Sequence, residues 1–585
     1  MDHLGMVDGK LGFHGQQHAD PATHADPVGP QGFQIPFKVW YLLAAVILSF
    51  LLSVFSNARL RPHAKNGPPR LHETIPYVSN AWQYMTDKKT FIARSSEMLR
   101  TNPVIQCQIG PLKVFLISGS SNVSTLFRPS FSSDDWVALI LRNACGFHPK
   151  DAAKFSGGRS GSHKDARAGH EQQSFERPLV AGLRQVYHEH LLASHNATAF
   201  GHQYQALFDK QLTDGRGPGV GDVGKWVDCR VVDFLRHHMA SAATVAVFGQ
   251  CFVDVNPDIV AVFWEFEKHA EALAFGLPQW MNKSGVKARD RINRTCREWV
   301  GLLRERRGSD HEGDFEEDSA WNHTYGSPVC RDLVKLERDY DLSEESIAAF
   351  YVAILLGLHA NSIIICAWVM IELIKDPPLL LAAKEEAAQA LVETSSGRTL
   401  DVQKLVSMPL LQALQHEALR LHVSLLLTRT AVEPVTIAGQ DFPPGSTFQT
   451  PTEALHRDED FWATPESPAT EFNPHRHLER VETDDEGGSG GQQQQVRFVP
   501  RSQKGAFVPY GGGAPMCPGR LIAKTEIVVT VAMLLLRFEM DPASLQWLNQ
   551  DGSPSSRPAQ DQDSYINSVA TPPDRELKMR WRRIG

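Results

Sequence analysis

The sequence predicts a mainly α-helical domain with a smaller β region, and three observations carry that expectation. The run "SIAAFYVAILLGLHANSIIICAWVMIELI", residues 346 to 374, is apolar on every face, as a helix threaded through a large core would be. Residues 427 to 450, "LTRTAVEPVTIAGQDFPPGSTFQT", alternate apolar and polar positions between Ala-Gly and Pro-Pro-Gly turn signals, the pattern of a small sheet. From residue 76 to residue 585 no linker is long or clean enough to divide the chain, so both patterns fall in one domain.

In chain order, residues 1 to 36 are rich in His, Gly, Pro and Gln without apolar periodicity and read as a disordered tail. Residues 37 to 56 read as a membrane anchor, because "VWYLLAAVILSFLLSVF" carries no charge and as a helix is about 25 Å long, enough for a thin bilayer. The segment starts too far into the chain, and lacks the basic n-region, for a cleaved signal peptide. A basic, proline-containing linker follows at 57 to 75, where Arg59, Arg61, Lys65 and Arg70 outweigh Lys38 before the anchor. The positive-inside bias then places the remainder in the cytosol. Asn122, Asn196, Asn282, Asn293 and Asn322 stand in N-x-S/T tripeptides and are expected to stay unmodified there.

Ser343 can cap the long helix, Glu344 and Glu345 suit its first turn, and Asp376-Pro377-Pro378 ends it. Length alone would also allow this run to span a membrane. Glu417 and Arg420, three apart in "LQHEALRLH", share a helix face. At the C-terminus Leu577, Met579 and Trp581 alternate with basic residues as in an edge strand. A net charge of −8 argues against a nucleic-acid partner, and eight cysteines without a CxxC pair fit a reducing compartment.

The stretch "FVPYGGGAPMCPGRLIAKTEIVVT", residues 507 to 530, sets one thiol at the mouth of an apolar helix. Pro518 suits a first helical position, so the free N–H groups of that end are expected to favour a thiolate at Cys517. Gly511, Gly512 and Gly513 let backbone N–H groups near the sulfur and leave room for a flat ligand, and Gly519 extends the clearance. A buried inert thiol is the bland reading. Zinc would need further ligands nearby, and a nucleophile would need a base. An axial ligand to haem iron needs a single sulfur, hydrogen-bond donors and a dry open face.

"YGGGAPMCPGRLIAKTE" resembles the haem-binding loop of the cytochromes P-450, with Tyr510, Gly511, Gly513, Cys517, Gly519, Ala523 and Glu526 at the family's pattern positions. Tyr510 stands where Phe is usual, and Pro515 where a basic residue commonly meets a haem propionate. The resemblance implies the P-450 fold, a single haem-binding domain over 76 to 585, with the 346–374 helix crossing the distal face of the haem. It implies haem b (iron protoporphyrin IX) with Cys517 as the axial ligand of the iron. Glu417 and Arg420 resemble the family's Glu-x-x-Arg motif, and Arg476 in "FNPHRHL" its second arginine, although His475 and His477 replace the usual Glu and Phe. The three would form a buried ion-pair cluster under the loop. Arg429 resembles the family's propionate-binding basic residue, and the apolar residues from Val423 to Leu427 would line the substrate cavity.

Ala360 and Asn361 stand where P-450 monooxygenases commonly carry an acid and a threonine that relay protons. Asn361 can hydrogen-bond dioxygen or water but is no acid; as a bland alternative it caps or kinks the helix. The Ala-Asn pair, "RTAVEP" and "APMCPGRLIAKTEI" resemble the branch of sterol 7α-hydroxylases and prostacyclin synthase, and the long loops resemble filamentous-fungal members. The resemblance implies a monooxygenase that oxidises a hydrophobic small molecule, such as a sterol, terpenoid or other secondary metabolite. Electrons would come from NADPH-cytochrome P-450 reductase at the endoplasmic reticulum membrane, the chain crossing once with its catalytic domain cytosolic. An isomerase or dehydratase acting on a peroxide without reductase is the rival, and a non-enzymatic haem sensor a distant third.

Overall fold

The structure, a computed structural model, describes residues 47–48, 67–155, 178–215, 217–308, 321–395, 397–483, 493–501 and 505–584. The chain separates into compact units Met1–Ala64 and Lys65–Gly585. The expected tail at 1–36, the anchor at 37–56 and most of the 57–75 linker lie outside the described residues, apart from Ile47 and Leu48, which are helical and exposed.

In the second unit, helices carry most of the core, and the two larger sheets flank them. The helices used below are α1 (Ser79–Thr86), α2 (Lys88–Thr101), α3 (Asp134–Asn143), α4 (Leu179–Leu191), α5 (Ser194–Thr213), α6 (Val231–Phe248), α7 (Ile259–Ala274), α8 (Lys283–Gly308), α9 (Glu344–His359), α10 (Ser362–Lys375), α11 (Pro409–His422) and α12 (Arg520–Arg537). The single long helix expected over 346–374 is thus two, α9 and α10, broken at Ala360-Asn361. Ser343 caps the start as expected, its side chain accepting from Ser346 N, while Asp376 caps the next helix by accepting from Leu379 N at 3.1 Å. Together α9 and α10 form the one described stretch apolar enough to cross a membrane, yet 78% of its most apolar window is buried in the domain. Burial decides for the core helix over the membrane span.

One sheet has the order β1 (Val104–Ile109), β2 (Leu112–Ile117), β6 (Thr447–Pro451), β5 (Leu426–Ala431), β3 (Phe131–Ser132). Strands β5 and β6 are antiparallel with Arg429 opposite Phe448, and β6 runs parallel to β2. The expected sheet at 427–450 is present, and its Ala-Gly turn closes a small hairpin, Ile437 facing Gln440, with φ of +50° at Ala438 and +75° at Gly439. Positive φ at both central residues matches the twist of the strands.

The other sheet has the order β8 (Pro554–Ser555), β7 (Phe538–Leu548), β9 (Glu576–Arg583), β4 (Trp226–Arg230). Leu577, Met579 and Trp581 alternate on β9 as expected and are buried. Strand β9 is interior, not an edge, because Trp581 pairs with Met540 on one side and Val227 on the other. Of the candidate glycosylation sites, Asn293 is buried in α8 with its amide donating to Arg289 O, which is incompatible with a glycan on the folded protein.

Candidate active site

All eight cysteines are free; seven are buried and Cys517 alone is exposed. It ends a loop held by short backbone bonds: Gly511 N donates to Val508 O, Met516 N to Gly513 O, and Cys517 N to Tyr510 O at 2.9 Å. Gly511 and Gly513 both have φ of +74°, a conformation that disfavours any side chain. A Cβ at Gly512 would collide with the Phe127 ring, and one at Gly513 would lie 3.0 Å from Phe127 O. The clearance expected for a flat ligand at these two glycines is therefore taken by Phe127, a neighbour that no local pattern announces. At Gly519 a Cβ would meet nothing nearer than Cys517 Sγ, at 4.0 Å, so clearance beside the sulfur is real.

Helix α12 begins at Arg520 with Gly519 as its N-cap, two residues later than Pro518 suggested. Burial pushes the Cys517 thiol up, and the Gly519 N–H and Arg520 charge offset this only in part. The thiolate expected from the helix end alone is thus not favoured without a bound cation. Exposure and desolvation are reconciled by position: Cys517 lines a cavity of about 470 Å³ whose walls surround it with protein.

Across that cavity α9 supplies Phe350, Ala353, Ile354, Gly357 and Leu358, and α4 supplies Val180, Leu183 and Arg184. Ala360 and Asn361 follow directly after this wall and are not part of it. Asn361 Oδ1 accepts from Ala570 N at 3.0 Å, tying the helix break to the segment that also bridges Val423 to Ala570. None of Val423 to Leu427 lines the cavity; Ser424 N and Leu426 N are spent on Val569 O and Asn567 O. A larger cleft of about 1210 Å³ lies beside Trp368 and His422, but its walls carry Lys89, Arg100, Glu453, Arg457 and Asp561 and no cysteine. Its charged walls suit water.

Under the loop, the sequence-predicted cluster assembles. Arg420 grips Glu417 with Nε on Oε2 and Nη2 on Oε1, both at 2.8 Å, and Arg476 Nε reaches Oε1 at 2.8 Å. Asn473 N and His477 Nε2 complete the carboxylate's shell at 2.9 and 3.1 Å. All four side chains of Glu417, Arg420, Arg476 and His477 are fully buried. His477, which departs from the usual Phe, therefore adds a partner to Glu417. Burial would raise the Glu417 carboxyl, but bonds from Arg420 and His477 and the two guanidinium charges hold it down at about 2.

Arg429, on β5, donates from Nη2 to Gly512 O at 2.9 Å and from Nη1 to Thr428 O, while its Nε is buried with no partner. Among the described residues no carboxylate makes a salt bridge with it, and burial lowers it to about 10, the nearby Asp134 charge offsetting this only in part. A buried cation beside the cysteine loop without a salt-bridge partner is an unfinished ion pair.

A family model described as Cytochrome P450 matches residues 221–557. The chain belongs to the cytochrome P450 family. It is 35% identical over 555 residues to the cytochrome P450 monooxygenase calL of Penicillium decumbens, covering 94% of this chain and 98% of that one. It is also 26% identical over 505 residues to the cytochrome P450 monooxygenase efuG of Hormonema carpetanum, covering 82% and 85%, and 25% identical over 516 residues to fsoE of Humicola fuscoatra, covering 84% and 85%. As a cytochrome P450 the protein is an oxidoreductase that uses haem iron.

The residues present fit that cofactor. The single accessible thiol faces an apolar cavity, Arg429 has no salt-bridge partner among the described residues, and Arg184, a second cation, lines the cavity while also bonding Asp134. Sequence reading missed Arg184. The signal available was an arginine on an amphipathic helix that follows a long polar loop, which alone does not separate a cofactor contact from a surface residue.

Proposed function

We propose that this cytochrome P450 is a monooxygenase of a hydrophobic small molecule, a sterol, terpenoid or other secondary metabolite, fed by electrons from NADPH-cytochrome P450 reductase. The observation that carries the reading is the lone accessible Cys517 at an apolar cavity, backed by the buried Glu417 cluster. The names of the fungal relatives support it. The sterol 7α-hydroxylase branch rests on the motifs alone.

Haem b is the form proposed, held by Cys517 with its propionates toward Arg429 and Arg184; bound, it supplies dioxygen activation and oxygen insertion. The chain's own residues do the rest. The wall from Phe350 to Leu358 excludes water and selects apolar substrates, since buried apolar area, at about 25 cal/mol per Å², is its main source of affinity. Gly511, Gly513 and Gly519 fix the loop that holds the sulfur. Asn361, outside the cavity lining, spends its carbonyl on Ala570 N and so fixes the end of the helix that forms this wall.

Attachment to the endoplasmic reticulum membrane through residues 37–56, with a cytosolic catalytic domain, belongs to the same proposal. Its support is a patch of exposed apolar side chains: Trp82 and Met85 on α1, and Phe275, Trp280 and Met281 after α7. Tyr84 on α1 touches the Phe275 ring at 5.6 Å, so the two groups adjoin.

The test is electron dependence. Metabolites that appear in a host only when this protein is present are remade with purified protein; they should form with NADPH and reductase and stop when either is left out. Product made from a peroxide without either would replace this reading by the isomerase.

A further inference from the structure

Asp134 is a carboxylate set beside both arginines of the candidate propionate site. It opens helix α3, and its Oδ1 accepts from Arg184 Nη2 of α4. On its other side, strand β3 ends two residues earlier and pairs Ser132 with Thr430, the neighbour of Arg429 on β5. The charge of Asp134 accordingly acts on Arg429, offsetting part of the effect of burial. Among the described residues no other carboxylate makes a salt bridge with either arginine. The same helix lines the cavity through Ser133, Val137 and Leu141.

An acid in the first turn of a helix is ordinary, since it complements the helix dipole. Asp135 serves α3 equally in that respect, from an exposed site and with no arginine bonded to it among the described residues. The helix alone therefore does not call for the bond to Arg184. Charge counting gives that bond a consequence. Two guanidinium groups and one carboxylate carry a single net positive charge, whereas haem b in the place proposed above brings two propionates. The filled site then holds one negative charge beyond what its arginines match. Such a charge favours ferric over ferrous iron, and it is felt more strongly at a partly enclosed site than on an open surface. Arg184 and Asp134 are 47% and 26% exposed, which keeps the effect moderate.

We propose that Asp134 sets the charge of the propionate site: it fixes the Arg184 guanidinium at the cavity wall, and its surplus negative charge loosens the haem and makes the iron harder to reduce. The inference rests on the placement of the propionates at Arg429 and Arg184. Asp134 acts through Arg184 and through space, so it is a positioning residue for the cofactor. Asp134→Asn isolates the charge, because the amide oxygen can still accept from Arg184.

Two measurements on the purified haem-loaded protein test this. Haem transfer to an excess of a haem-scavenging apomyoglobin should slow about two- to fivefold in Asp134→Asn, the size expected of one partly exposed charge pair. The ferric/ferrous midpoint potential should rise in the same variant. Asp134→Glu, which keeps the charge, should return both to the wild-type values, and Asp135→Asn, the same charge change one residue on, should have clearly less effect. Arg184→Gln should speed haem loss and lower the potential. Haem loss in Asp134→Asn that is unchanged or faster, a potential that is unchanged or lower, or an equal effect of Asp135→Asn overturns the assignment. Should Asp134→Asn fail to fold, Asp134→Ser is read in its place against the same outcomes. Haem loss and potential unmoved in both Arg184→Gln and Arg429→Gln instead refute the placement of the propionates, whatever Asp134→Asn does.

Discussion

Cys517→Ser is expected to give a folded protein that has lost both turnover and the red-shifted Soret band of its reduced carbon monoxide complex. The fold should tolerate the change, because the side chain is exposed to a cavity and its replacement is nearly isosteric; such sites usually cost within about 0.5 kcal/mol. The chemistry should not, since a serine oxygen cannot push electron density to iron as a thiolate does. No other cysteine can stand in: the remaining seven are buried, and burial holds Cys145 at about 12, for one, far from ionisation. A Cys517→Ser protein that keeps the thiolate spectrum would show that the axial sulfur lies elsewhere.

Glu417→Gln is expected to be the most damaging substitution outside the cavity. It leaves Arg420 and Arg476, both fully buried, with no carboxylate between them. Breaking a buried ion pair on one side costs about 3–5 kcal/mol, against a total stability of about 5–15 kcal/mol for an ordinary domain. The protein should therefore be recovered with little haem and a sharply lowered melting temperature. The same carboxylate predicts acid sensitivity. Its folded value near 2 is below the ordinary 4.5, so its stabilisation is complete above 4.5 and disappears as pH falls towards 2. Melting curves in that window should slope for the wild type and flatten for the variant. Full haem content and an unchanged melting point in Glu417→Gln would mean that the cluster does not hold the loop.

What could be read from sequence was what is local in sequence. Cys517 with its glycines, Glu417 with Arg420 three residues on, and the apolar run through α9 and α10 each declare themselves within a single turn or loop. What escaped depends on partners far along the chain. Phe127, not a ligand, explains Gly512 and Gly513, and it stands hundreds of positions earlier in the chain. The helix break at Asn361 is stabilised by Ala570 N, so a run that looks continuous in composition is two helices in space. Strand β9 reads as an edge because its second partner, β4, is five residues with a weak strand signal lying hundreds of positions earlier. Glu526 was visible as a position in a pattern, but its burial without a hydrogen-bond partner among the described residues is a property of packing alone.

Insertion of an oxygen atom from dioxygen at the Cys517 cavity is tested most directly by growing the metabolite-producing host under ¹⁸O-labelled dioxygen, with wild-type protein and with Cys517→Ser. One labelled oxygen atom is expected in the metabolite that depends on the wild-type protein, and neither metabolite nor label with the variant. An unlabelled metabolite that still requires Cys517 would contradict it and leave a haem enzyme whose oxygen arrives with the substrate.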